Sequence, residues 1–181
     1  MTRPARATIT IGGLAGTGTS TLASLLGDRF GLDVVSGGQI FREAARERGV
    51  TLAAFGTLCE EDPEVDRGLD ERQIELLRQG GLVLESRLGG WLAQREGIEA
   101  LKVCLKCDED ERMRRIVARE GGELEEQRRR TLEREASEAA RYSQYYGLDL
   151  HSFAPYDLVL DSGRWSPAQL ADLVAAALAT A

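Results

Sequence analysis

Short apolar runs along the chain alternate with longer stretches in which apolar residues recur at helical spacing. The short runs are rich in β-branched or leucine residues and are flanked by glycine or polar turn residues, which is typical of buried strands. They cover residues 7–12 (ATITIG), 32–35 (LDVV), 82–86 (LVLES), 101–107 (LKVCLKC) and 156–160 (YDLVL). Strands that alternate with helices predict an α/β fold with a five-stranded parallel sheet.

Capping residues mark the starts of several intervening helices. The sequence predicts such starts at Thr51, Asp62, Asp108 and Ser166. Each of these side chains can accept a hydrogen bond from a free N–H of the first helical turn, and proline follows two of them at the position that it favours. Glycines at 31, 49, 80, 121 and 147 follow the predicted helices and indicate where they end.

Two segments carry too few apolar residues to supply core helices, namely about 36–72 and about 120–140. In α/β folds, insertions of this kind lie over the carboxyl edge of the sheet, where ligands bind. We therefore predict one domain, residues 1–181, in which both insertions cover a ligand site.

The charge balance narrows the choice of ligand. A formal net charge of −7 argues against a general nucleic-acid binder, so we expect no nucleic-acid partner. The chain nevertheless has 23 basic residues, of which only Lys102 and Lys106 are lysines. Guanidinium groups suit two-pronged contacts with phosphate oxygens, so local sites for small phosphates are compatible with the acidic total.

Neither a membrane segment nor a disulfide framework is indicated. No apolar run reaches the roughly 20 residues that cross a bilayer, and the first ten residues hold no secretory segment. The three cysteines are an odd number, which favours a reducing, cytoplasmic setting. Cys104 and Cys107 form a CxxC pattern, but odd spacing in a strand sends them to opposite faces. We favour packing over a metal or redox role for both.

Directly after the first strand, the segment GLAGTGTS is typical of a phosphate-binding loop. Glycines let successive N–H groups point inward, and the following helix adds partial positive charge at its N-terminus. The expected nucleotide-binding residues are Gly13, Leu14, Ala15, Gly16, Thr17, Gly18, Thr19, Ser20 and Thr21. Ser20 stands where such loops place the hydroxyl ligand of Mg²⁺. The alternative is a glycine-rich turn without a ligand.

Thr19 occupies the position at which such a loop carries lysine, so a working site needs positive charge from elsewhere. One group of candidates shares a helix face: Arg112, Arg115 and Arg119. A second group lies in REASEAAR, where Glu135 and Glu138 can hold Arg134 and Arg141. The alternative for all these arginines is a solvated, salt-bridged helix surface, which we favour for Arg128–Arg130. We predict that Arg119, Arg134 and Arg141 supply the catalytic charge by reaching the phosphates of the nucleotide donor.

Four segments together resemble the archaeal-type cytidylate kinase family of the nucleoside monophosphate kinase superfamily. They are SGGQIFR, LESRLGGW, REASEAAR and YDLVLDSGRWSP, and with the phosphate loop they extend the resemblance over nearly the whole chain. REASEAAR is similar to the lid motif R-D-x-x-D-x-x-R, with Glu in place of both Asp residues. Threonine at the lysine position also occurs in that family.

The resemblance implies ATP- and Mg²⁺-dependent phosphorylation of CMP, and of dCMP, on a P-loop NTPase-like sheet with helices on both faces. In this scheme the segment about 36–72 is the nucleoside-monophosphate-binding insertion, and about 120–140 is the lid. Ser36, Gly37, Arg42 and Arg87 are expected to bind the acceptor phosphate. Ser20 and Glu85 are expected to serve the metal, Glu85 by orienting a Mg²⁺-bound water; alternatively, Glu85 forms an ordinary ion pair at the end of its strand. A phosphate nucleophile is already an anion, so no general base is required, and we expect a monomer.

Asp66, Asp70 and Gln73 fall at i, i+4 and i+7 of a predicted helix and share one face. Their carboxylate and amide groups could read the pairing edge of cytosine; alternatively they are solvated helix positions. Two other functions stay open at this point. One is a kinase for another small acceptor such as AMP or UMP, and the other is a non-catalytic nucleotide-binding protein.

Overall fold

A computed structural model describes residues 7–180 of the chain. The first part of the predicted 1–181 domain, including most of the start in which no secretory segment is predicted, lies outside the described residues, as does residue 181. The strands are β1 (Ile9–Gly13), β2 (Asp33–Ser36), β3 (Leu82–Glu85), β4 (Leu101–Lys106) and β5 (Leu158–Asp161). All neighbouring strands pair in parallel, in the order β2-β3-β1-β4-β5. The predicted five-stranded parallel sheet is therefore confirmed.

Helices connect the strands, and their bounds follow the sequence signals closely. They are α1 (Thr19–Phe30), α2 (Gly37–Glu47), α3 (Leu52–Glu61), α4 (Pro63–Gln79), α5 (Gly89–Arg95), α6 (Glu109–Glu120), α7 (Leu124–Tyr146) and α8 (Pro167–Leu178). The predicted caps form: Thr51, Asp62, Asp108 and Ser166 each accept a hydrogen bond from the first turn of their helix. Among the described residues, no helix has the length and apolarity that a membrane span requires.

Hydrophobic clusters cover both faces of the sheet. On one face, Ile9 and Ile11 of β1 pack with apolar residues of α1 and α8. On the other face, Leu82 and Leu84 of β3 pack with residues of α4 and α5. β1 is buried and lies at the centre of the sheet, so the loop that follows it starts from a closely packed strand.

The first insertion differs from its sequence-based description. We expected too few apolar residues for a core, but Ala44, Ala45, Phe55 and Cys59 form a small buried cluster of their own. Phe41 packs edge-to-face on Phe55, with ring centroids 4.8 Å apart. Other apolar residues of the insertion, such as Leu52 and Leu58 of α3, stay exposed, because α2 and α3 are short helices that bury only a narrow face.

The CxxC pair is also placed differently from its prediction. Cys104 is buried in β4, as expected, but the strand ends at Lys106, so Cys107 lies outside it and is half-buried. Both cysteines are free thiols. Burial raises the pKa of Cys104 to about 12, which keeps that thiol protonated and unreactive at neutral pH.

Two buried threonines provide a test of core polarity. Thr10 in β1 is fully buried, and its hydroxyl has no hydrogen-bond partner in the described part of the chain. The buried hydroxyl of Thr17, in contrast, donates to the carbonyl of Leu14 at 2.8 Å. Removing an unpaired buried hydroxyl relieves a desolvation cost. We expect Thr10→Val to raise the free energy of unfolding by about 1 kcal/mol, measured by urea denaturation. Thr17→Val is the control and should lower it; equal effects of the two substitutions would contradict this account.

Candidate active site

A cleft of about 850 Å³ opens at the carboxyl ends of β1, β2 and β3, between the phosphate loop, the first insertion and α7. Most of the residues predicted to bind ligands line it. They are Gly13, Leu14, Ala15, Gly16, Thr19, Ser20, Ser36, Gly37, Arg42, Asp66, Asp70, Gln73, Glu85, Arg87, Arg119, Arg134 and Arg141. Three loop residues do not: Thr17 is buried behind the loop, Gly18 caps α1, and Thr21 is exposed on α1.

The phosphate loop has the backbone shape that its glycines predicted. Gly16 and Gly18 have φ angles of +82° and +91°, a region that favours glycine. Gly18 precedes α1, and no side chain caps the helix there. The N–H groups of the first turn are therefore available to an anion, which the partial positive charge of the helix end favours.

Glu85, at the end of β3, accepts hydrogen bonds from three hydroxyl groups. Thr19 donates to its Oε1 at 2.7 Å and Ser20 donates to the same oxygen at 3.2 Å. Ser36, from the end of β2, donates to Oε2 at 2.7 Å. The residue at the lysine position therefore contacts a carboxylate through a neutral hydroxyl. This oxygen-rich group fits a hard divalent cation such as Mg²⁺, which usually takes only one or two carboxylates from the protein.

The close approach of two elements explains the glycine that opens α2. A Cβ atom on Gly37 would lie 2.9 Å from Oγ of Ser86 and 3.2 Å from Oε1 of Gln73. Arg42 lies one turn further along α2 and lines the cleft, and it has no ion pair among the described residues. Its guanidinium is thus available to an anion beside the end of β2.

One face of α7 borders the cleft with acidic and basic side chains that form ion pairs with other elements. Glu138 lies 2.6 Å from a guanidinium nitrogen of Arg87 and 3.3 Å from Nε of Arg134. Two residues that were expected to bind different phosphates therefore share one carboxylate. Sharing draws both guanidinium groups toward the same point of the cleft.

Arg141 is placed differently from the expectation that it reaches donor phosphates. Its Nε lies 3.0 Å from Oδ2 of Asp66 in α4, and both side chains are buried. The guanidinium also lies over the ring of Tyr142, 5.8 Å from the centroid. Burial raises the pKa of Asp66, although the charge of Arg141 opposes that shift. In this structure Arg141 belongs to the wall formed by the first insertion.

Asp70 and Gln73 complete this wall. Gln73 donates its amide N–H to Oδ1 of Asp70 at 3.3 Å, and the hydroxyl of Tyr146 donates to Oδ2. Burial, aided by the nearby charge of Asp66, raises the pKa of Asp70 to about 6. The amide oxygen of Gln73 is buried and has no hydrogen-bond partner among residues 7–180. The three predicted positions are therefore buried and share one face, so the alternative of solvated helix positions is wrong.

Arg119 and Arg134 are exposed arginines at the mouth of the cleft. Their side chains are 62% and 64% exposed, and among the described residues each forms an ion pair only with a carboxylate close by in the sequence. Such exposed pairs contribute little, so both side chains are free to reorient toward an anion. The prediction for Arg128–Arg130 was a salt-bridged surface: Arg128 and Arg129 form ion pairs on the surface of α6 and α7, and Arg130 is exposed beside them.

Several residues of the site were not identified from the sequence. Arg112 was grouped with Arg119 by spacing, but it is buried and bonded to Glu135 and to a loop carbonyl. Tyr145 and Tyr146 join α7 to the first insertion through their hydroxyl groups. The only signal for them was helical spacing, which cannot tell which partner a side chain will meet.

Comparison with known proteins agrees with this geometry. Residues 8–164 match the cytidylate kinase-like family. A cytidylate kinase of Methanospirillum hungatei is 48% identical over 95% of this chain and 96% of its own length, and one of Methanococcoides burtonii is 43% identical over 94% and 95%. Shikimate kinase of Bacteroides thetaiotaomicron shares the fold, with a TM-score of 0.62 at 14% identity over 95% of this chain and 98% of its own. The chain belongs to the cytidylate kinase-like family.

Proposed function

We propose that this protein transfers the γ-phosphoryl group of ATP to CMP, giving CDP and ADP. The observation that carries the proposal is one cleft with two dissimilar ends. A phosphate loop forms one end, and the buried wall of Asp66, Asp70 and Gln73 forms the other. The phosphate-loop end fits a phosphate donor, whereas the wall, in a cleft that Arg42 and Arg87 also line, fits an acceptor that joins an anionic group to a flat polar base. The relatives named as cytidylate kinases support CMP in that role.

The polarity of the wall favours an amino-bearing pyrimidine. Cytosine presents an amino donor and two acceptors on its pairing edge, whereas uracil presents an acceptor at the amino position. The carboxylate of Asp70 and the unpartnered amide oxygen of Gln73 are acceptors, so they suit the amino group of cytosine. The same acceptors would face the O4 oxygen of uracil and leave buried oxygens unpaired, which is costly.

We assign Arg141 to the acceptor side together with Asp66. Their buried pair offers guanidinium donors next to a carboxylate, and a guanidinium matches the N3 and O2 acceptors of cytosine. This assignment replaces the expectation that Arg141 binds the donor phosphates. It agrees with the burial of Arg141, because a side chain held by Asp66 and packed on Tyr142 is already ordered for binding.

The phosphate contacts divide between two sets of arginines. Arg42 and Arg87 bind the acceptor phosphate, and Arg119 and Arg134 bind the donor phosphates above the loop. An anionic oxygen of CMP attacks the γ-phosphorus, the bond from that phosphorus to the bridging oxygen breaks, and ADP leaves. No proton has to be removed, so the work of the protein is alignment and charge neutralisation.

Ser20 and Glu85 are the residues that would hold Mg²⁺. When bound, this ion supplies charge that neutralises the donor phosphates. Thr19 and Ser36 orient the Glu85 carboxylate through their hydroxyl groups, as the distances of 2.7 Å to each oxygen allow. A lysine at position 19 would place a cation against Glu85, so threonine leaves that carboxylate free for the metal.

Three further expectations accompany the proposed CMP kinase activity. We expect dCMP to be a second acceptor, the protein to act as a monomer, and its setting to be the cytoplasm. The second candidate function is phosphorylation of AMP or UMP, since the fold alone is compatible with either.

Acceptor specificity is the direct test. With ATP and Mg²⁺ in excess, we expect the kcat/KM ratio to favour CMP over UMP by about 100-fold or more, because the wrong base leaves buried oxygens unpaired. Initial rates with CMP, dCMP, UMP and AMP measure this. A clear preference for AMP or UMP would refute the assignment, and the absence of turnover with all four would favour a non-catalytic nucleotide-binding protein.

Removal of the Arg134 guanidinium tests the source of catalytic charge. Arg134→Ala should lower kcat by about 100-fold or more without lowering stability, because the side chain is exposed and acts on the transferred group. Steady-state kinetics and thermal unfolding measure the two effects. Arg129→Ala is the matched control, since Arg129 lies on the same helix, is equally exposed and pairs only with neighbours. Equal kcat values for the two variants would contradict this role.

The raised pKa of Asp70 predicts a pH dependence of stability. Its folded-state pKa of about 6 exceeds the ordinary value of 3.8. The folded state therefore binds the proton of Asp70 more tightly than the unfolded state does. The contribution of this proton to the free energy of unfolding is complete below about pH 4 and is lost as the pH rises through about 6. Two pKa units correspond to about 3 kcal/mol.

Asp70→Asn should remove this pH dependence, raise the free energy of unfolding at pH 7 and raise KM for CMP. The side-chain oxygen of asparagine can still accept the hydrogen bond from the Tyr146 hydroxyl. The amide of Gln73 can rotate so that its oxygen accepts the N–H of the new asparagine. Urea denaturation between pH 4 and 7 measures the slope, and Asp172→Asn, in an exposed pair with Arg29, is the control. An unchanged slope in Asp70→Asn would contradict the raised pKa.

A further inference from the structure

A buried guanidinium joins the lid helix to the phosphate loop. Arg112, in the first turns of α6, has only 3% of its surface exposed. Its Nη1 donates to the carbonyl oxygen of Ala15 at 2.9 Å and to Oε1 of Glu135 at 2.7 Å, and its Nη2 donates to Oε2 of Glu135 at 3.3 Å. Glu135 lies on α7, so one side chain connects three separate parts of the chain.

The loop needs such a donor. An anion-binding loop directs its N–H groups inward, so its carbonyl groups point outward and require partners of their own when buried. Arg112 provides the partner of Ala15. Its backbone also supports the next residue: a Cβ on Gly16 would lie 2.6 Å from the carbonyl oxygen of Arg112. The loop therefore rests directly on α6.

We propose that Arg112 and Glu135 are positioning residues that couple the lid helix to the phosphate loop. Arg112 holds the loop in the shape that binds donor phosphates. Glu135 holds α7 so that Arg134, the adjacent residue, lies at the mouth of the cleft. Neither side chain contacts substrate. The assignment rests on the proposed phosphoryl transfer for its catalytic part, whereas its effect on donor binding is independent of the acceptor.

A second contact between the same helices shows why the buried pair is different. Arg128 of α7 pairs with Glu109 and Asp110 of α6, but these groups are on the surface and do not reach the loop. Exposed pairs are screened by water and weakly directional. The Arg112–Glu135 pair is two-pronged and desolvated, so its geometry is well defined and each group depends on the other.

Replacing Arg112 and replacing Glu135 should have different effects, the first on the affinity for the donor nucleotide and the second on kcat. Arg112 alone contacts the loop, so its replacement should weaken donor binding. Glu135 contacts the loop only through Arg112, so Glu135→Gln retains the bond to Ala15 and should lower kcat through Arg134. A loss of stability alone would change neither parameter in the folded protein.

The experiment compares Arg112→Met, Arg112→Lys, Glu135→Gln and the control Arg128→Met in the full chain. Calorimetric titration with ADP and Mg²⁺ measures donor binding directly, and initial rates give KM for ATP, KM for CMP and kcat. We expect the Kd for ADP to rise about 10-fold or more in Arg112→Met, the effect of a lost hydrogen bond to a charged group. Arg112→Lys should show a smaller rise, and KM for CMP should stay within twofold. Arg128→Met should behave as wild type.

A double variant separates positioning from stability. Arg112→Met leaves Glu135 buried and unpaired, which can destabilise the fold, whereas Arg112→Met combined with Glu135→Leu replaces the pair by apolar groups and should restore the melting temperature. We expect the double variant to remain impaired in ADP binding. Recovery of ADP affinity together with the melting temperature would overturn the inference, as would wild-type affinity in Arg112→Met. Wild-type protein that binds ADP but fails to phosphorylate CMP would refute the proposed function alone.

Discussion

Arginine–carboxylate pairs along one face of α7 hold the positive charge of the cleft in place. A phosphate loop without lysine has only backbone N–H groups to offer an anion, so guanidinium groups must be brought to it from other elements. Unpaired guanidiniums grouped around an empty cleft would repel one another. Glu138 and Asp66 hold Arg87 and Arg141 in the cleft, at distances of 2.6 and 3.0 Å, and Glu135 holds Arg112 behind the phosphate loop at 2.7 Å. The rest of the site is arranged around these pairs.

The pairs differ in burial, and this difference separates arginines that are fixed in position from arginines that are free to reorient. Arg112 and Arg141 are buried, so removing a partner would leave a desolvated charge, and their positions are correspondingly fixed. Arg119 and Arg134 are exposed and lightly held, so they can turn toward a phosphate at little cost. Fixed charges lie near the phosphate loop and near the wall of Asp66, Asp70 and Gln73, and movable charges lie at the mouth of the cleft. This arrangement suits a reaction that first binds two anions and then encloses them.

The burial of Asp66 and Asp70 in the wall of the cleft lowers the stability of the fold. Asp66 and Asp70 are buried side by side, and burial raises the pKa of both. Such groups do not stabilise a helix, and hydrophobic residues of similar size would pack better. Their presence next to an unpartnered Gln73 oxygen is best explained by a ligand that donates hydrogen bonds to this wall.

Much of the architecture followed from residues that are neighbours along the chain. The strand runs, the caps at Thr51 and Ser166, and the glycine pattern of the phosphate loop depend on local backbone preferences, so the sequence by itself determined them. Helical spacing likewise placed Asp66, Asp70 and Gln73 on one face. The resemblance of four short motifs then gave the family. Burial was harder to predict from the sequence, and the small core around Phe55 was missed. The end of β4 was also predicted one residue too late.

Partners were decided only by the tertiary structure. Thr19 meets Glu85, Arg112 meets Ala15 and Glu135, and Arg141 meets Asp66 across separations that no local pattern encodes. A charged residue at helical spacing gives the same sequence pattern whether its side chain is exposed to solvent or forms a buried ion pair. The free energy that separates these outcomes is desolvation, and desolvation depends on which distant segments pack over the side chain. The sequence therefore determined the chemistry that is available, whereas the packing of α6 and α7 on the sheet decided which charges are fixed and which are free to act.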